Sequence, residues 1–173
     1  MRKIIAFVIA MLASTAAAAC QCAGPPLDTV SARRAKHVFV FRLLSSELQT
    51  EGSDQPWTTR VIGRIQVVDT LRGTANTKTI RYSTHQCCGV RLDVGKYYAA
   101  FASDAGPQLS GDLGNLLELG EMSPGSGDRA RIKSVLSGKS SLEKAFSEYT
   151  LDRLHQIPRP PEPCPSNNRK SRP

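Results

Sequence analysis

Residues 37–44 read HVFVFRLL, an almost continuous apolar run rich in β-branched and aromatic side chains. Its length and composition suit a strand better than a helix. A strand that is apolar on both faces has to be covered on both, so this segment predicts a sheet element buried on its two sides.

The flanking sequence extends that reading. Pro25 and Pro26 open a short polar stretch that has room for one or two helical turns before His37. Residues 49–56, QTEGSDQP, carry Gly and Pro punctuation and read as a hairpin loop. Residues 57–73 alternate well enough for a second long strand, with Gly63 marking a bulge or a barrel corner. A third strand is predicted at 77–84, a fourth at 96–103 and a fifth, with a fainter pattern, at 115–119. The pattern then changes. Residues 126–138 and 140–157 look helical, the second with Leu142, Ala145, Phe146, Tyr149 and Leu154 mostly on one stripe and Ser140 or Ser141 as its cap. Packing against an open barrel mouth is the expected fate of that helix. Strands followed by helices fit a mainly β fold, a small five-stranded Greek-key barrel with flanking C-terminal helices, better than a parallel α/β sheet.

The N-terminus looks like an export leader. Arg2 and Lys3 precede an apolar stretch from Ile4 to Leu12, and Ala17–Ala19 form a small-residue exit. The apolar stretch is too short to span ~30 Å of hydrocarbon. The chain of 173 residues therefore divides into a leader (1–19), a barrel (20–120), a helical extension (121–157) and a proline-rich tail (158–173) expected to be disordered. Cleavage after Ala19 makes Cys20 the first residue and sends the protein to the periplasm, the envelope or the exterior. The formal net charge is +8, but the excess looks scattered, as in Arg33, Arg34, Lys36, Arg169, Lys170 and Arg172, with no aromatic ladder between. Such a pattern speaks against a nucleic-acid partner and for attraction to acidic surfaces in general.

All five cysteines, Cys20, Cys22, Cys87, Cys88 and Cys164, follow the leader. In an exported chain they are disulfide candidates before they are metal ligands, and their odd number leaves one thiol free, lipidated or paired between chains. A bridge from Cys20 to Cys87 or Cys88 would clamp the first residue of the mature chain onto the barrel. It would close a loop of roughly 70 residues, a constraint of about 4 kcal/mol in the chain-entropy model. It would also hold the Cys20 α-amine and its own carbonyl in one geometry. Those two atoms form a five-membered chelate around a metal ion, and with a pKa of about 8 a useful fraction of the amine is neutral at physiological pH. A catalytic zinc keeps one position open to water, which such a chelate can displace.

Cys20-Gln21-Cys22 followed by Pro25-Pro26, RIQVVDTLRG at 64–73 and CGVRLDVGKYYAAFAS at 88–103 resemble the tissue inhibitors of metalloproteinases. That family belongs to the netrin-like group of oligonucleotide/oligosaccharide-binding-type (OB-like) barrels. The resemblance covers about residues 20–103 and is most specific in the last segment. It implies a five-stranded barrel whose inhibitory wedge, Cys20, Gln21, Cys22 and Ala23, enters the cleft of a zinc metallopeptidase. Cys20 would bind that enzyme's zinc in trans through its amine and carbonyl, and Gln21 would point into the primary specificity pocket. Cys88 matches the partner cysteine of Cys20, and the loop Ser83, Thr84, His85, Gln86 and Cys87 would lie beside the wedge. No cofactor of its own is implied.

The chain departs from the family in lacking a cysteine in 106–117 for Cys22, which leaves Cys87, Cys164 or the free thiol. It also has a bulkier residue at Gln21, and it lacks the cysteine-rich second domain. A membrane contact is expected only if Cys20 is lipidated. An acylated amine cannot ligate zinc, so a lipidated chain would be a non-inhibitory netrin-like module or an envelope lipoprotein. An enzyme is not expected. His37, His85 and His155 are far apart, and Ser83-Thr84-His85 near Cys87 has no positioned acid.

Overall fold

A computed structural model of the protein describes residues 25–49, 60–84 and 89–147. The leader, the wedge, the 50–59 loop with Trp57, residues 85–88, the rest of the second predicted helix and the tail lie outside the described residues. The strands are β1 (His37–Gln49), β2 (Arg60–Arg72), β3 (Thr79–Ser83), β4 (Tyr97–Ala102), β5 (Gln108–Ser110) and β6 (Leu116–Gly120). The helices are α1 (Thr29–Arg34), α2 (Ser126–Leu136) and α3 (Leu142–Ala145). The fold is mainly β: one mixed sheet in the order β5-β3-β2-β1-β4-β6. Its pairs are antiparallel except β3 with β5, which run parallel.

The apolar run anticipated from sequence lies at the centre of this sheet, paired with β2 on one side and β4 on the other. Alternate residues feed two cores. Phe39, Phe41 and Leu43 join Tyr98, Ala100, Ile65, Ile80 and Leu116 in an inner cluster. Val38 and Val40 join Ala99, Phe101, Leu117 and Leu119 in an outer one, which Leu27, Ala32, Ile132, Val135, Leu142 and Phe146 complete from the helical segments. The helices thus lie on the outer face of β1, β4 and β6, where Leu142 and Phe146 are buried.

Two arginines fix the helices, Arg72 of β2 to the sheet and Arg33 of α1 to the end of α2 and the turn after it. The Arg72 guanidinium donates to the carbonyls of Arg33 (2.7 Å), Ala35 (3.0 Å) and Leu136 (3.2 Å). Arg33 donates to Val135 and Ser140, both at 3.1 Å. Cations at carbonyls that a helix end leaves unpaired are favourable. The N-termini are capped by Asp28, which accepts from Ser31 N at 2.6 Å, and by Ser141, which accepts from Lys144 N at 3.2 Å. The second cap is one of the two serines anticipated for it.

The sheet curls. The β1–β2 register slips at three places, between Val38 and Phe39, Val40 and Phe41, and Leu43 and Ser45. Such irregularities bend a ladder and increase its twist. Gly63 sits beside the last of them, across from Ser46. A Cβ there would lie 2.6 Å from Leu43 Cδ1 and 2.9 Å from Ile80 Cγ2. The residue anticipated as a bulge or corner is therefore a close approach across the concave face, while the extra residue, Leu44, belongs to β1.

Curling brings the two edges near each other, because β5 and β6 are joined by residues 111–115 alone. Asn115 links them: its Nδ2 donates to Ser110 O at 2.7 Å, and its carbonyl accepts from Phe101 N at 2.9 Å. Among the described residues no ladder joins β5 to β6, so the sheet stays open there. The sequence predicted five strands. The sixth, β5, has three residues between Pro107 and Gly111, too few for a period of two to register. β1 also runs five residues past Leu44, through mostly exposed positions that apolarity could not mark.

Replacing Gly63 by alanine overpacks the concave face. The variant should lose about 1–3 kcal/mol of stability, with the far-UV spectrum retained. Urea unfolding of Gly63→Ala against wild type measures it, and an unchanged midpoint would contradict the close approach.

Candidate functional site

The chain enters the described structure at Pro25 and is tied down within two residues. Leu27 is fully buried in the outer cluster, and its N–H donates to Leu113 O at 2.7 Å. Pro25 O lies 2.9 Å from where a Cβ on Gly114 would stand, so only glycine admits the strand of chain that passes there. The Gly114 amide is itself turned by Asp112, whose Oδ1 accepts from it at 2.8 Å.

The exit of β3 is tied to the same stretch. Gly111 N donates to Arg81 O at 2.8 Å, and Val90 N to Ser83 O at 2.7 Å. The second bond closes the base of the loop between Ser83 and Val90. Ser83 and Thr84 are exposed, while Val90 and Leu92 beyond the loop are buried in the inner cluster. Leu113 joins the two sites: its side chain sits in the cluster that holds Tyr82 and Val90, and its carbonyl holds Leu27. Segment 111–114 thereby holds Arg81, two residues before Ser83, and Leu27, two residues after Pro25. The remaining predicted site residues, Cys20, Gln21, Cys22, Ala23, His85, Gln86, Cys87, Cys88 and Cys164, lie outside the described residues.

A cleft of about 590 Å³ opens beside the Pro25 segment, lined among others by Arg34, Phe101, Asp104, Asp112 and Leu113. It borders the entry of the chain at Pro25, and its lining holds no nucleophile–base pair.

Downstream, the Leu-Asp-Val-Gly segment forms a turn clamped to β1. Gly95, with φ of 93°, donates from its N to Leu43 O at 2.8 Å, and its carbonyl accepts from Arg42 Nε at 3.1 Å. Asp93 N donates to the Tyr98 hydroxyl at 2.7 Å. Lys96 sits between two carboxylates, 2.8 Å from Asp93 Oδ2 and 3.0 Å from the buried Glu118 Oε1. The hydrogen bond from Lys96 holds the Asp93 carboxyl below the usual range, helped by Arg91, and the same bond raises Lys96. Burial pushes the Tyr98 and Tyr82 hydroxyls up. Sequence reasoning singled out this motif without seeing its partners. Glu118 is the missed member, and the signal for it was a lone acid inside an otherwise apolar strand, Leu116–Gly120.

His37 has a local duty: its Nδ1 accepts from Thr74 N at 3.1 Å beside the tight approach of Gly73. Among the described residues no group of three or more His, Cys, Asp or Glu is arranged to hold a metal ion. No protein-family model matches the chain, and no curated protein matches it.

The turn yields a pH prediction. A depressed carboxyl stabilises the fold above its ordinary pKa and loses that contribution as pH falls through the lowered value, so the window for Asp93 lies below about pH 4. Lys96→Met should remove much of this acid dependence. It should also destabilise the protein at neutral pH, because it leaves the buried Glu118 carboxyl without its cation. Thermal unfolding from pH 3 to pH 7 measures both effects. Parallel curves for variant and wild type would contradict the assignment.

Proposed function

We propose that the protein is an exported inhibitor of zinc metallopeptidases that acts through the free α-amine and carbonyl of Cys20. We further infer that the curled sheet is an OB-like Greek-key barrel of the netrin-like type, in which 108–120 is one interrupted strand. β5 pairs parallel with β3, and β6 pairs antiparallel with β4, as a strand shared between both edges would. The resemblance of 20–103 to the tissue inhibitors of metalloproteinases supplies the roles: Cys20 at the zinc, Gln21 in the specificity pocket, Cys88 as bridge partner, and Ser83–Cys87 beside the wedge.

The observation that carries this reading is the Leu113 junction. It anchors the chain at Leu27, and its side chain shares a core cluster with Tyr82 and Val90, which flank the loop closed by Ser83 and Val90. Cys20 is five residues before Pro25, a reach of at most about 17 Å of extended chain, and Cys88 is one peptide from Gly89. A bridge between them needs Pro25 and Gly89 to lie within the combined reach of these two short segments. A chelating amine fixed to a rigid base binds with less ordering cost than a free terminus.

Inhibition should fall as pH drops below about 8, when the amine takes up its proton, even where the peptidase itself stays active. Acetylating the N-terminus, or inserting one alanine before Cys20, should abolish inhibition while leaving the melting temperature nearly unchanged, since neither touches the core. Inhibition constants against zinc peptidases, paired with thermal melts, check this, and undiminished inhibition by the acetylated protein rules out the chelate. Mass spectrometry of the mature chain decides the alternative. A free Cys20 is required; a diacylglyceryl, N-acylated Cys20 would make the protein a non-inhibitory envelope module.

A further inference from the structure

The helices cover only part of the sheet's convex side. The outer cluster draws on β1, β4 and β6 and takes only Leu71, partly buried, from β2 and nothing from β3. On β2 and β3 the inward positions are Val61, Ile65, Ile80 and Tyr82, so Arg64 and Arg81 point outward, and both are exposed. Arg64 pairs with Thr79, two residues from Arg81, which sets the two arginines diagonally, about 7–8 Å apart. Arg42, between inward Phe41 and Leu43, faces the same way one strand over, opposite Gln66 and with its guanidinium 5.7 Å from the Tyr97 ring centroid. Neither Arg64 nor Arg81 has an ion pair among the described residues, and the acid facing out nearby is Glu47, opposite Ile62.

Apolar side chains are set among these cations. Leu44, the extra residue of β1, is 42% exposed beside the position opposite Arg64. Val94 is 54% exposed in the turn whose Gly95 carbonyl accepts from Arg42. A soluble polyanion needs only the charges, and single-stranded nucleic acid needs stacking rings as well. A bilayer surface uses both features present here: lipid phosphates take the guanidinium groups, and the headgroup boundary takes the exposed apolar side chains.

We infer that the convex face of β1–β3, through Arg42, Arg64, Arg81, Leu44 and Val94, docks on anionic phospholipid surfaces. This contact is independent of any lipid on Cys20 and does not rest on the inhibitor reading. It would hold the protein at a membrane while its N-terminus stays available.

The test is co-sedimentation of the mature chain, its unlipidated N-terminus verified by mass, with phosphatidylcholine vesicles with and without phosphatidylglycerol. Binding should require phosphatidylglycerol and weaken with added salt. Arg64→Gln and Arg81→Gln should each lower it about fivefold, and together about 25-fold, with unchanged melting temperature. Leu44→Asn with Val94→Asn should lower it at least about threefold. Equal partition onto both vesicle types overturns the inference. So does loss in the arginine variants with none in the Leu44/Val94 pair and with displacement by an RNA oligonucleotide, which would assign the face to a soluble polyanion.

Discussion

A strand with no polar side cannot lie at a surface, and most of this architecture follows from that constraint on β1. Phe39, Phe41 and Leu43 need cover on one face, Val38 and Val40 on the other. The sheet meets the first demand by curling over its own concave side. The helices meet the second by packing on the convex side, where Arg33 and Arg72 fix their ends. Each solution limits the other. Among the described residues the helices pack on the β1, β4 and β6 sector, and Arg64 and Arg81 on the convex face of β2 and β3 are exposed.

Curling also explains why one short segment is so heavily used. When the edges of the sheet approach, residues 111–115 hold β5 and β6 together, and they receive the entering chain at Leu27 as well. Leu113 contributes a side chain to one core and a carbonyl to the segment that feeds the other. A chelating N-terminus built on such a junction would inherit its rigidity from the curled sheet rather than from the terminal residues themselves. The Asp93–Lys96–Glu118 network ties the turn before β4 to β6. Its one buried carboxylate, Glu118, is tolerable because the Lys96 ammonium lies within hydrogen-bonding distance.

Much of the strand layout was legible in order: β1, β2, β3, β4 and β6 all fall where apolar periodicity put them. β5 was not, because three residues carry no period, and neither was the exposed end of β1, where both faces are polar. The arginine face shows a different kind of blindness. Arg42, Arg64 and Arg81 are separated by many residues and look scattered along the chain. They become neighbours only because β1, β2 and β3 pair in one register. Glu118 was hidden for the same reason, since its partner Lys96 belongs to another strand. Of the candidate site, Ser83 and Thr84 are seen at the loop base; the cysteines and Gln21 rest on sequence alone.

By itself the sequence determined which segments must be covered, because hydrophobic burial is a property of local side-chain pattern. It determined too that cysteines stand at positions 20, 22, 87, 88 and 164. Tertiary structure alone decided which residues meet. Register, curl and the closeness of the sheet edges depend on contacts between strands far apart in the chain, and a bulge such as Leu44 costs too little locally to leave a mark in composition. The meeting of Leu27 and Arg81 at residues 111–114 is therefore a product of the fold.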